Sequence, residues 1–175
     1  MTTPATGAPL PAAIADWFAG RGWRVRDHQA AMFTADRAGD HALLVASTGA
    51  GKTLAGFLPT LADAAEGPIE GLHTLYISPL KALAVDIQRN LKAPINEIGL
   101  PLTVETRTGD TPSDRKARQR VRPPNILLTT PESLSLMLSH EDSFTLFAGL
   151  KRVVIDEVHA FATQKRGDLL ALSLA

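Results

Sequence analysis

Two short stretches hold the residues best suited to chemistry: ASTGAGKT at 46–53 and DEVH at 156–159. In the first, Gly49 and Gly51 stand just ahead of Lys52 and Thr53. Glycines let the backbone wrap closely, so that its N–H groups face an anion. A lysine adds a mobile positive charge, and a threonine hydroxyl can ligate a hard cation such as Mg²⁺. This is phosphate-binding chemistry. Its loop comprises Ala46, Ser47, Thr48, Gly49, Ala50, Gly51, Lys52 and Thr53, with Lys52 placed for the β- and γ-phosphates of a nucleotide. The pattern usually begins with glycine. Here Ala46 holds that place, while the GAGKT end is intact. The second stretch sets two carboxylates, Asp156 and Glu157, directly after the apolar run 153–155, with His159 close behind. Charge at the end of a buried strand costs roughly several kcal/mol unless a cation compensates. Mg²⁺ held by Asp156 and Thr53 would supply that cation. Glu157 is then placed to take a proton from a water attacking the γ-phosphate.

Such residues need rigid elements behind them. The chain opens on a short helix in AAIADWFAGRGW that breaks at Gly20 and Gly22. A second helix runs to about Arg37, with Asp27 as its expected cap. The apolar run at 42–46 reads as a strand, followed by the glycine loop and a helix from about Lys52 to Ala65. Further strands are expected at 73–78, 102–106, 125–130 and about 152–156. Helices are expected at 81–98, at 113–121 with Ser113 as cap, and at 131–138 with Pro131 at its first position. A last helix begins near Gly167 and is still running at Ala175. Short apolar strands alternating with helices predict an α/β fold, a parallel sheet with helices on both faces. In such sheets ligands bind at the carboxyl ends of the strands, where both motifs fall.

The bulk composition excludes little but is consistent. At 175 residues one domain is expected, and 45% hydrophobic residues can fill a core. The 18 basic and 18 acidic residues cancel, so a polyanion site must be a local patch. Without cysteine there are no disulfides or thiolate metal sites. Residues 1–10 read as a flexible tail rather than a signal peptide, and no apolar run is long enough to span a bilayer. A soluble, cytoplasmic protein with no membrane partner is expected. No Asn-Lys pair occurs for reading guanine. Gln29 can hold both the amino group and a ring nitrogen of adenine. The basic run Arg107, Arg115, Lys116, Arg118, Arg120 and Arg122 reads as a solvated face ahead of a nucleic-acid track. Trp17 and Trp23 read as packing residues.

ASTGAGKT, SPLKAL (78–83), TGD (108–110), TTPESL (129–134) and DEVH stand in the order and spacing of a superfamily 2 DExH helicase. In LYISPLKALAVDIQRNL, RTGDTPSDR, ILLTTPESL and DEVHAFATQKRGDLLALSLA the chain resembles the large helicase-related (Lhr) family. WFAGRGW is similar to its bacterial ligase-associated branch, linked to DNA repair. The resemblance runs from about Trp17 to the end. It implies a RecA-like P-loop NTPase lobe over 11–175, incomplete at its C-terminus because the chain stops after the second Walker motif. ATP and Mg²⁺ are the implied cofactors. Single-stranded DNA or a tailed duplex is the implied partner, with a DNA ligase or nuclease as a further one. The implied adenine contacts are Gln29 and, less directly, Arg26. The implied nucleic-acid contacts are Pro79, Lys81, Gly109, Asp110, Thr111, Thr130, Pro131 and Glu132, and His159 would couple the nucleotide to the strand. Lys165 and Arg166 match a KRG run with no derived role. A second lobe with its arginine finger is implied elsewhere, so this stretch alone is expected to be inactive and marginally stable. The alternative from another class is an ATP-dependent switch acting on a partner without unwinding.

Overall fold

The computed structural model describes residues 8–47, 49–162 and 164–175. They fall into two compact units, one of residues up to Pro68 with Pro94–Leu100, the other of Ile69–Ala93 with Pro101–Ala175.

The first unit is helical. Helix α1 (Ala12–Gly20) ends at its glycine, as expected. Helix α2 (Asp27–Ala38) stops where Gly39 takes a left-handed conformation. Asp27 is its first residue and not its cap. The cap position is Arg26, whose backbone N–H donates to Gln29 Oε1 at 3.0 Å. Helix α3 (Lys52–Glu66) follows the glycine loop and is amphipathic, burying Ala55, Phe57, Leu58, Leu61 and Ala62. It packs against α1 and α2, and Ile14, Phe18 and Phe33 complete that apolar interior. The run 42–46 forms no strand. Its Leu43 and Val45 are 76% and 86% exposed. A strand of this kind needs neighbours on its ladder, and among the described residues this run has no ladder partner.

The second unit holds a four-stranded parallel sheet with strand order β2-β3-β1-β4. The strands are β1 (Thr74–Ile77), β2 (Val104–Arg107), β3 (Ile126–Thr129) and β4 (Arg152–Ile155). The interior strands β1 and β3 are buried at every position, while β2 and β4 at the edges are partly open. Continuous apolar runs are what strands covered on both faces require. The register sets Arg107 opposite Thr129, Thr129 opposite Ile77, and Ile77 opposite Ile155. The four carboxyl ends therefore lie level in one row. The helices are α4 (Lys81–Ile98), whose residues up to Ala93 belong to this unit and whose Pro94 is accommodated inside it, α5 (Ser113–Val121), α6 (Pro131–Leu138), α7 (Ser143–Phe147) and α8 (Lys165–Leu174). Ser113 is the first residue of α5, and Pro112 occupies the cap position. Helix α7 and the 3₁₀ turn Val158–Ala160 have no counterpart in the sequence expectations. Leu72, Leu75, Ile77, Leu127, Leu134, Met137, Leu146, Phe161 and Leu170 form the core of this unit. No helix among the described residues is long and apolar enough to cross a membrane.

Candidate nucleotide and nucleic-acid site

In the first unit the glycine loop is held by the start of α2. Gly49 and Gly51 both have positive φ, 78° and 77°, a conformation glycine adopts without steric cost. Gln29 is 3% exposed, and both ends of its amide are engaged. Its Oε1 accepts from Arg26 N–H, and its Nε2 donates to the Gly51 carbonyl at 3.3 Å. A Cβ at Gly51 would stand 2.9 Å from that Nε2, and its φ of 77° is the conformation that favours glycine. The Arg26 guanidinium donates to the Gly49 carbonyl at 3.3 Å. Lys52, the first residue of α3, bends its ammonium back to the Ala46 carbonyl at 2.8 Å. Thr53 lies in the first turn of α3, half-buried, and Ser47 and Ala50 border the loop. Thr48 lies outside the described residues, as do residues 1–7 of the expected tail. The structure thus brings Arg26, Gln29, Gly49, Gly51 and Lys52 together.

In the second unit every motif leaves the same row of strand ends. After β4, the Asp156 carboxylate accepts two hydrogen bonds among the described residues: the Tyr76 hydroxyl donates to Oδ2, and Glu157 N–H donates to Oδ1 at 2.9 Å. Tyr76 stands in the buried centre of β1. Burial first, then the bond to Asp156 and the charges of Asp156 and Glu157, push its phenol far above the ordinary tyrosine value. It therefore stays a donor well beyond neutral pH. Sequence reasoning passed Tyr76 over. The usable signal was a lone tyrosine in an apolar strand, whose hydroxyl needs a partner when buried. Glu157 has φ 49° and is the one described residue other than glycine with positive φ. That turn points its carboxylate to His159, with Nε2 to Oε2 at 3.3 Å.

The other three strand ends carry polar loops. After β1, Ser78 and Pro79 are buried and Lys81 opens α4. After β2, the Thr108–Thr111 turn leads to α5, and Lys81 Nζ meets Asp110 Oδ2 at 2.7 Å. After β3, Thr130 and Pro131 are buried at the start of α6. Glu132 is taken by Arg166 of α8, whose Nη2 lies 3.1 Å from Oε2. That bond holds the Glu132 carboxyl below its ordinary value and gives the unexplained Arg166 a partner. Gly167 beside it sits so close to Phe161 that a Cβ would lie 2.2 Å from the Phe161 carbonyl oxygen. The basic run is largely committed inside the chain. Arg118 pairs with Glu105, Arg120 with Asp142, and buried Arg107 donates to the Lys116 carbonyl. Arg21 stacks on Trp17 and Trp23 and binds Glu97, while Trp23 stays 49% exposed.

The DEAD/DEAH box helicase family matches residues 26–175. The chain is 48% identical over 159 residues to the Lhr helicase/probable uracil glycosylase of Mycolicibacterium smegmatis, covering 83% of this chain and 10% of that protein. It is 42% identical over 151 residues to the ATP-dependent helicase Lhr-Core of Methanocaldococcus jannaschii, covering 78% of this chain and 18% of that protein. Among solved structures, the Mycobacterium smegmatis helicase Lhr bound to ssDNA and AMP-PNP superposes with a TM-score of 0.87 at 40% identity, covering 99% of this chain and 23% of that one. The DUF1998 helicase MrfA bound to DNA and AMPPNP gives 0.79 at 31% identity, covering 89% of this chain and 22% of that one. The Lhr resemblance and the RecA-like helicase fold read from the motifs are borne out. The chain spans between about a tenth and a fifth of the curated relatives' length.

Proposed function

This chain belongs to the DEAD/DEAH box helicase family, and from that premise we propose that it is the ATP-binding lobe of an ATP- and Mg²⁺-dependent helicase that moves along DNA. The observation that carries this reading is the glycine loop. Its two positive-φ glycines are fixed by Arg26 and Gln29, and Lys52 stands at the start of the following helix. A glycine loop that opens onto a helix N-terminus suits an anion, and Lys52 at the start of that helix adds a positive charge. Two solved relatives, by their titles, carry an ATP analogue together with DNA.

The residues present also fit Mg²⁺. Asp156 spends one hydrogen bond on each oxygen, which leaves lone pairs on both for metal-bound water. Among the described residues no three acids or histidines converge on a metal. Mg²⁺ commonly keeps several waters and shares its shell with substrate phosphates. Asp156 is the proposed protein ligand in this unit. Mg²⁺, when bound, would supply positive charge at the γ-phosphate. Glu157 would accept the proton of the attacking water, and His159 beside it would pass the state of that carboxylate towards the strand-binding loops. Gln29 both orders the glycine loop and, on releasing a bond, would read adenine. Lys81, Gly109, Thr111, Thr130 and the N-termini of α4 and α6 would hold backbone phosphates, which carry affinity without base information.

We extend the proposal to a longer protein of the ligase-associated Lhr branch acting in DNA repair, on the strength of the Trp17–Trp23 stretch. Co-purification with a DNA ligase or nuclease tests that branch. Binding of a fluorescent ATP analogue tests the core. Lys52→Ala should lose at least about tenfold in affinity, near 1.4 kcal/mol, while Glu157→Gln keeps binding and, in the longer protein, loses hydrolysis. Analogue binding indifferent to Lys52→Ala overturns the reading. DNA-stimulated hydrolysis without unwinding would favour a switch.

A further inference from the structure

The turn after β2 gathers more positive charge than the motif pattern assigned to it. The turn closes on itself: Thr111 N–H donates to the Thr108 carbonyl at 3.1 Å, and Thr108 N–H donates to the Thr111 hydroxyl at 2.9 Å. Two ammonium groups from different helices reach it. Lys81 of α4 holds the Asp110 carboxylate at 2.7 Å. Lys116 of α5 donates to the Gly109 carbonyl at 3.0 Å. Lys116 is seated from behind, because buried Arg107 donates to its carbonyl at 3.1 Å. Lys81 Nζ also lies against Gly109, 3.6 Å from where a Cβ would stand, an ordinary contact distance. The Lys81 and Asp110 side chains are 52% and 77% exposed, so their bond is weak and exchangeable.

We propose that Asp110 is an internal stand-in for a nucleic-acid phosphate. In the free chain it neutralises Lys81. An arriving phosphodiester, which carries one negative charge like the carboxylate, displaces it and is gripped by Lys81 and Lys116 together. This rests on the proposed function and refines it: Lys116 becomes a strand contact, and Asp110 becomes a competitor of the strand. Lys81 stays paired throughout, first with Asp110 and then with the phosphate, while the displaced, exposed Asp110 carboxylate turns to solvent. It also lowers the net gain of each grip, which suits a contact that must be released and remade as a strand advances.

The test is binding of fluorescein-labelled oligothymidylate to the 175-residue chain, followed by anisotropy across a salt series. Asp110→Asn should tighten binding about two- to fivefold, the range expected from freeing one exposed lysine. That gain should vanish in the Lys81→Ala, Asp110→Asn double variant, where no ammonium is freed. Lys116→Ala should weaken binding and flatten the slope of log affinity on log salt by about 0.7, and Lys116→Arg should restore both. A gain from Asp110→Asn that persists without Lys81 reflects only net charge and overturns the proposal. So does the absence of any gain, or a Lys116→Ala chain that binds normally with an unchanged melt. Salt-dependent binding indifferent to all these variants sinks this inference alone. An unsubstituted chain that does not bind the oligonucleotide removes the proposed function and this inference with it.

Discussion

Tyr76 and Asp156 make a testable pair at the scale of single residues. The phenol holds one oxygen of the proposed metal ligand, and outer-shell partners of this kind are worth about tenfold or more in metal affinity. Tyr76→Phe should therefore raise the Mg²⁺ concentration needed for half-maximal nucleotide binding about tenfold, as read by titrating Mg²⁺ against a fluorescent analogue; an unchanged titration would show that the bond plays no part. Gly51 offers a second test. Its φ of 77° and the 2.9 Å approach to Gln29 Nε2 mean that Gly51→Ala adds strain of about 1–2 kcal/mol. Denaturant unfolding should register that loss, and analogue binding should fall with it. Motif residues were legible in the sequence because each type has one obvious job: glycine for positive φ, lysine for phosphate, paired acids after a strand. Their supporting partners were not. Tyr76 lies eighty residues from Asp156, Arg166 lies 34 from Glu132, and no spacing rule joins residues that meet only after the sheet has formed.

Between elements, the bond from Arg166 to Glu132 ties α8 to α6, the helix that follows the proposed strand-binding threonine. Arg166 holds the Glu132 carboxyl below its ordinary value. A depressed acid contributes stability that is fully present above its unfolded pKa and is lost as pH falls through the folded one. The pair should therefore stabilise the chain at neutral pH by about 0.5–1 kcal/mol, an allowance for its partial exposure. Melting Arg166→Ala beside the unsubstituted chain should show that difference at pH 7 and its loss in acid, as the pH falls through the lowered pKa of Glu132. A difference that persists in acid would assign Arg166 to packing instead. Most elements were legible from periodicity and from the placement of glycine and proline: α3, α4, α6 and all four strands fall within a few residues of expectation. The run 42–46 was not. Its composition is that of a buried strand, but composition supplies no ladder partner. The caps of α2 and α5 were misread for a related reason. Gln29 outcompetes Asp27 by bonding back to Arg26 N–H, and Pro112 takes the place expected for Ser113.

On the scale of the whole molecule, β4 is an edge strand of the sheet among the described residues, with β1 as its neighbour. Unpaired strand edges template association, and the exposed Leu43 and Val45 add apolar surface. Concentration-dependent light scattering of the isolated chain should rise at moderate salt, and a lysine at Val153, which is 40% exposed on β4, should suppress it. Scattering unchanged by Val153→Lys would place the association elsewhere. The backbone at Glu157 leads to a different consequence. A glutamate at φ 49° and ψ 45° occupies a region that costs an L-residue about 1–2 kcal/mol, whereas asparagine visits it with far less penalty. The proposed proton acceptor is thus also a thermal weak point. Glu157→Asn should give a chain that melts about 2–4 °C higher for each kcal/mol recovered, while the longer protein carrying it no longer hydrolyses ATP. Heat resistance and turnover would then be selected in opposite directions at one position, and a thermostability screen blind to activity would enrich inactive protein there.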